Sequence, residues 1–467
     1  MLNNINGAFR GVGGLSNEYY EALVTAAMQP YQLEIKRAKE LKDTIEIKSA
    51  VYDDLETKLG NVAASVKELQ NGEDSVFKKK LASSGDKAIL TATASADAAD
   101  ATYSINVIRL AKTHRVRGNQ QADSTSALGL SGTFTINGVQ VTADSGDSLE
   151  DIRDAINQAV QDSLDSGALA DENAFSATVI DNNLVLESKS TGTAYQLTAS
   201  DDTGSVLQSL GVLDGSGAFA NELQAAQDSE AIINGITVTR STNTEITDVI
   251  SGVTLNFVDA GETTLTVEPD KQSIKNSIDL FLIRINDLNK WLSSKTGVTE
   301  NGDGSYTRGS LADNFGLKHL RMNLVRATFA TWSSAPSSAQ YTRLDQIGFE
   351  LGSNLTMSLA DSDALDKALE SDYSNVVNLF DSIMSDLQAK LDPYTEGTDT
   401  LVDQMQESAD KSLEAAQQRI SRLEEQSARR EELIRDQVAR QFAAISSYND
   451  TGRYLTTLMF SSFTAVG

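Results

Sequence analysis

The residues best suited to chemistry are scarce. The chain of 467 residues has two histidines and no cysteine. His114 follows a strand-like stretch in Lys112-Thr113-His114-Arg115, and His319 lies in a helical stretch beside Lys318 and Arg321. Neither spacing brings up an acid and a nucleophile together, so both read as surface side chains. Zinc needs at least three N, S or O ligands, and no histidine pair at helical spacing offers them. Without cysteine there is no disulfide framework and no thiolate chemistry. Asn301-Gly302-Asp303-Gly304-Ser305 begins like a calcium loop, but its twelfth position is Ala312 and not a bidentate Glu. Gly215-Ser216-Gly217-Ala218-Phe219-Ala220 loosely fits a dinucleotide fingerprint without the strand–helix setting that gives it meaning. Carboxylates are too abundant for any two to stand out as a glycosidase pair. The expectation is a protein with no catalytic residue, no cofactor and no metal.

Charge narrows the partners. Formal net charge is −27, which repels phosphate backbones and anionic headgroups. Between Asn119 and Val238 eighteen Asp or Glu face only Arg153 and Lys189. That acid-coated stretch reads as a solvated, non-sticky surface. No run of about 18 apolar residues offers a membrane span. Met1 to Val24 holds no apolar core of a signal peptide, so export is expected by another route.

The elements read as helical ends around a sheet-forming middle, an α+β fold class. Ala38, Leu41, Ile45, Lys48, Tyr52, Leu55, Leu59, Val62, Val66 and Leu69 recur at steps of three and four. This is a heptad seam with one charged interruption. Leu413, Ala416, Ile420 and Leu423 keep the same step, Ser427 and Arg430 weaken it, and Ile434, Val438, Phe442 and Ile445 resume after a stutter. We expect these two stripes to pair within one molecule as a coiled-coil stalk. Pro30 is read as an interruption of the first helix, Pro269 as the end of the strands, and Pro336 and Pro393 as later helix breaks.

The middle contains a repeat. Ile136-Asn137-Gly138-Val139-Gln140-Val141-Thr142 recurs as Ile233-Asn234-Gly235-Ile236-Thr237-Val238-Thr239. Asn-Gly between apolar runs predicts a type I′ hairpin in each copy. Leu149, Ile152, Ile156 and Val160 predict a helix after the first copy, and the second leads into the strand Val253–Phe257. Two copies with further sheet between them predict two nested, mainly-β head domains. The division expected is a helical stalk of 38–80 plus 271–445, a β head of 81–125 plus 228–270, and an outer β head inserted at 126–227. After Pro269, Asp270 caps a helix whose face is Ile274, Ile278, Phe281, Ile285, Leu288 and Leu292. A further helix is expected from Leu311 to Thr331.

Several segments also resemble the flagellar filament-capping (hook-associated protein 2) family. Asn243 to Leu255, with the run through Thr263 to Asp270 into a helix bearing Phe281, Asn286 and Leu288, resembles the segment closing that family's β head. Tyr103 to Ala111 resembles its first head strand. Leu344 to Phe349, then Leu355 to Leu369 and Val376 to Phe380, resembles its later helical region, and Ile420 to Leu458 its terminal coiled coil. Gly13-Gly14-Leu15-Ser16 departs from a usual Ser-Gly-Leu-Asp element, and Gly352-Ser353-Asn354-Leu355 from a usual Asp-Gly turn.

The resemblance implies a secreted protein that leaves through the flagellar channel without a cleaved signal. It implies a homo-oligomeric ring of five, possibly six, subunits at the distal filament tip, promoting folding and insertion of flagellin and preventing its loss. A cytoplasmic export chaperone is a further implied partner. Residues 1–37 and 446–467 would be leg segments, partly disordered when free, and Leu23, Val24, Met28, Leu455, Leu458 and Met459 are expected to dock into the filament. The alternative is an exposed flagellar adhesin or axial junction protein that binds a surface receptor.

Overall fold

The computed structural model describes residues 17–463; some side chains near the C-terminal end, Met459 among them, lie outside that description, as does Gly13–Ser16. The chain divides into two compact units, one of residues 1–71 with 277–467 and one of 72–276.

The first unit is helical. Asn17–Glu68 forms one helix of 52 residues and Leu401–Phe463 another of 63, about 78 and 95 Å at 1.5 Å per residue. Pro30 does not interrupt the first. Met28 and Tyr31 on either side pack into the helix pair, and the carbonyl that Pro30 leaves without its helical donor belongs to Ala26, which is exposed to water. At the lower end Leu55, Leu59, Val62, Val66 and Leu69 are completely buried. They meet the helix Lys271–Thr296, with Ile274, Ile278, Phe281, Ile285, Leu288 and Leu292 all inaccessible, and the helix Tyr373–Thr395. Pro393 ends that last helix two residues on, at Thr395. The helix expected over Leu311–Thr331 is shorter, Phe315–Thr328, because the Asn314 side chain accepts the Leu317 N–H and caps it.

The second unit is sheet. A five-stranded antiparallel sheet, in the order Lys80–Ser84, Gly261–Pro269, Ala101–Arg109, Ser229–Ile233 and Ile236–Arg240, packs with a three-stranded one of Ile246–Ile250, Val253–Phe257 and Leu90–Ala94. Leu90, Ile105, Val107, Leu255, Phe257 and Leu265 fill the space between them. The outer body has a four-stranded sheet built on Asn183–Thr191 and a three-stranded one built on Gly132–Ile136. Its core takes in Phe134, Ile136, Leu186 and Leu207 with the helix Leu149–Asp165. Ser148 caps that helix in a reciprocal box with Asp151. The outer body begins earlier than residue 126. Thr113–Arg117 pairs with Asn183–Thr191, and Val116 lies in the outer core, so the chain crosses over at Lys112, which bridges to Gln227.

Both repeats form the expected turns. Asn137 and Gly138 have φ of 48° and 81°, Asn234 and Gly235 46° and 84°, the positive pair a type I′ turn requires. Each Asn also reaches sideways: Asn137 Oδ1 accepts the Thr198 N–H at 2.9 Å, and Asn234 Oδ1 the Ser104 N–H at 2.8 Å. Asn234→Ala therefore puts a residue less tolerant of left-handed backbone than asparagine at this position and leaves the Ser104 N–H without its side-chain acceptor. It should lower stability by about 2 kcal/mol, and Asn234→Gly by only about 1. Urea unfolding of the full chain tests this; equal losses for the two variants would refute the turn argument.

Candidate functional site

No catalytic constellation emerges from the packing of the described residues. His114, read as a surface residue, is 1 % exposed. It sits on a strand whose alternate side chains enter the outer core. Its Nδ1 accepts the Leu197 N–H at 3.0 Å, which leaves Nε2 to donate to Glu222 at 2.9 Å. It is a structural tie between three segments of the outer body. His319 is exposed. Asp214 holds the Gly215–Ala220 loop by accepting from Ser216 and Ala218 N–H groups, so a carboxylate occupies the place a phosphate would need. Asp303 likewise closes the Asn301–Ser305 turn on Ser305. Among the described residues no group of three His, Cys, Asp or Glu is placed to hold a metal, and no helix is long and apolar enough to cross a membrane.

The feature that stands out is the pair of chain ends. The two long helices run antiparallel, as their cross-links show. Gln406 donates to Asp53 and Glu56, Lys39 pairs with Glu424 at 2.7 Å, and Arg435 grips Glu21 at 2.9 Å. Arg435 also pairs with Glu431, and the two carboxylates hold its guanidinium firmly protonated. The Tyr20 hydroxyl donates to the Arg435 carbonyl, and its ring meets Phe442 edge-on with centroids 5.5 Å apart.

The seam changes character along its length. Below, it is aliphatic and sealed. From Ala38 to Tyr52 the inward side chains are Lys42, Ile45 and Ser49, all half-buried. The expected seam positions Leu41 and Lys48 face outward instead, Leu41 at 49 % exposure. The cause is the helical period. A stripe counted back from Leu55 at 3.5 residues per step drifts by about 20° per heptad against a 3.6-residue helix. By Leu41 that drift, with Val51 and Tyr52 both buried where further helices pack, has turned the side chain out. On the partner helix Ala416, Ile420, Ser427 and Val438 are buried, and Leu413, Leu423 and Ile434 half-buried. The stutter falls where Ser427, Glu431 and Ile434 face inward in turn.

The residues expected to dock separate into two groups. Val24 and Met28 are buried against Val438, with Leu23, Ile434 and Phe442 packed around them. They lie inside the seam and not beyond it, because the helix reaches back to Asn17 and keeps its stripe on the partner. Leu455 and Leu458 are exposed at 55 % and 47 %, as are Tyr448 and Tyr454. Sequence reasoning missed the polar cross-links, since Gln406 with Asp53 and Arg435 with Glu21 carry no local signature.

Comparison with known proteins agrees with this architecture. Residues 16–114 match the model of the flagellar hook-associated protein 2 N-terminus, and residues 226–450 that of its C-terminus. The chain is 27% identical over 407 residues to the A-type flagellar hook-associated protein 2 of Pseudomonas aeruginosa, covering 80% of each. It is 28% identical over 374 residues to the B-type protein of that organism, covering 73% of this chain and 76% of the relative. Its fold is similar to the crystal structure of the flagellar cap protein FliD D1-D2-D3 domains from Escherichia coli, with TM-score 0.55 and 24% identity over 77% of this chain and 99% of that one. Together these define a flagellar axial structural protein with a helical stalk and nested β domains. The chain belongs to the flagellar hook-associated protein 2 family.

The gradient along the seam predicts its dynamics. Val438→Asp places a charge where the apolar cluster is small. It should abolish amide-exchange protection across residues 20–35 while residues 55–69 keep theirs. Leu59→Ala, at a sealed site, should cost about 2–5 kcal/mol of global stability. Uniform loss of protection in the first variant would contradict a graded stalk.

Proposed function

We propose that this chain caps the flagellar filament, as an oligomeric ring at the distal tip that helps exported flagellin fold and insert and keeps it from being lost. The observation that carries the reading is the antiparallel stalk with exposed apolar side chains near one end. Leu455 and Leu458 lie beyond the Tyr20–Phe442 contact, past the charge-rich stretch of the helix that ends at Arg440. An apolar helix face held out in this way fits a groove between helices of another protein. The contact must also release when the next subunit arrives. A few exposed leucines flanked by tyrosines suit that better than a sealed seam would.

Family membership supports a role played by shape. A five- or six-fold ring, passage through the flagellar channel and capture of the C-terminal helix by a chaperone before export belong to the same proposal.

Leu455→Asp with Leu458→Asp should leave the β unit folded, judged by circular dichroism, and abolish capping. In a strain lacking its own copy, the double variant should leak monomeric flagellin into the medium where the wild-type chain restores filaments. Normal motility with that variant would remove the assignment, and electron microscopy of purified protein should show rings.

A further inference from the structure

The helical unit contains a cleft of about 570 Å³ lined mainly by polar side chains, among them Asp287, whose carboxylate is paired with Lys58 of Asn17–Glu68 at 2.7 Å. One wall is the middle of the helix Lys271–Thr296, contributing Asn286, Asn289 and Lys290; the other is Arg321 with the turn Asn354–Thr356. Two costly features meet there. Asn289 is 3 % exposed, yet neither its Oδ1 nor its Nδ2 has a hydrogen-bond partner, and Arg321 Nε is likewise buried without one. Asn354 and Leu355 both hold φ of 63°, a left-handed backbone that leucine rarely adopts. Buried polar atoms are almost always paired, and strained backbone gathers at ligand sites.

The chain itself shows what an asparagine in this setting binds. Asn157 donates to the Ala177 carbonyl and accepts its N–H, both at 2.9 Å. Asn243 does the same with Ala111 at 2.9 and 2.7 Å. Asn286, one helical turn before Asn289, does it with Met357 at 2.7 and 2.8 Å. Each is a two-point clasp on the N–H and C=O of one extended residue. Asn289 carries the same pair of groups on the same side of the same helix. Beside it, Arg321 Nη2 donates to the Asn354 carbonyl at 3.2 Å while Nε is left over, a donor suited to a carboxylate.

We propose that this cleft binds an extended polypeptide segment bearing a carboxylate side chain, its backbone clasped by Asn289 and its acid held by Arg321. A sugar fits less well, because no aromatic side chain lines the cleft to stack on a ring. Leu355, in the strained turn, forms part of the wall, so seating the segment against the buried Asn289 amide requires the lining to move.

The full chain, labelled with 15N-asparagine and 15N-arginine, should be titrated with the blocked residue N-acetyl-aspartate N-methylamide, with the Asn289 Nδ2 and Arg321 Nε signals followed. Both should shift saturably. The blocked alanine analogue should bind about tenfold more weakly to the wild type, and that preference should vanish in Arg321→Gln. Asn289→Leu should bind at least about tenfold more weakly while its thermal midpoint holds or rises, since the change removes an unpaired buried amide. An Asn289 signal that does not saturate, or equal affinity in Asn289→Leu, overturns the proposal. A fall in the Asn289→Leu midpoint without loss of binding assigns the residue to the core and overturns it equally. Sedimentation of the wild type against Asn289→Leu separates the sources: lost self-association places the segment in a second copy of this chain, and unchanged self-association places it in another protein.

Discussion

The fold depends on two apolar stripes, more than 330 residues apart in sequence, finding each other. Neither long helix is stable by itself in water, since its propensity is modest and its stripe needs cover. Their union defers a large loop-closure cost until the intervening chain has its own structure. The β unit meets that demand because its entry and exit strands are paired. Lys80 lies opposite Pro269, and the Asp270 N–H bonds to the Lys79 carbonyl. The outer body repeats the device at Lys112 and Gln227, each donating an N–H to the other's carbonyl. Nesting works where an insertion leaves its two ends side by side, so that the host sheet hardly registers it.

Sealing the whole stalk would make a stronger rod. Five fully buried aliphatic positions at the base each contribute about 1.5–3 kcal/mol, while exposed ion pairs contribute about 0–1 kcal/mol apiece. Higher up, Lys42 and Ser49 replace leucines in the seam and Lys39–Glu424 bridges its flank. The helix pair is therefore anchored at one end and held by adjustable polar contacts at the other. Such an end can exchange its own packing for a partner's without unfolding what lies below.

Much of this was legible because it is periodic or rests on a single residue type. The face from Ile274 to Leu292, the Asn-Gly turns and the helical spacing of Leu149, Ile152, Ile156 and Val160 are local, and local signals survive tertiary context. What escaped was set by packing. Whether Leu41 or Lys42 faces inward depends on small phase drift accumulated over several turns. The burial of His114 depends on strands 74 and 108 residues away that supply Ser188 and Glu222. Val24 and Met28 looked like a leg because the stripe is weak near Pro30, yet a helix that tolerates proline on its wet side carries the stripe on. The Asn289 cleft was invisible, since an asparagine in an amphipathic helix reads as part of a polar face until its neighbours are known.

Asparagine is prominent here for a reason linked to charge. A chain at −27 gains nothing from further carboxylates. A carboxylate also offers only acceptors, and so can meet a backbone N–H but not the carbonyl beside it. The carboxamide satisfies both groups of one residue without adding charge. In a chain with no cysteine it ties the Asn157, Asn243 and Asn286 segments to distant backbone. These ties can form and break without redox chemistry. The same economy explains why an unused clasp matters: the half-buried Asn157, Asn243 and Asn286 amides each close on backbone, while the more deeply buried Asn289 amide finds none and suits backbone that another segment brings.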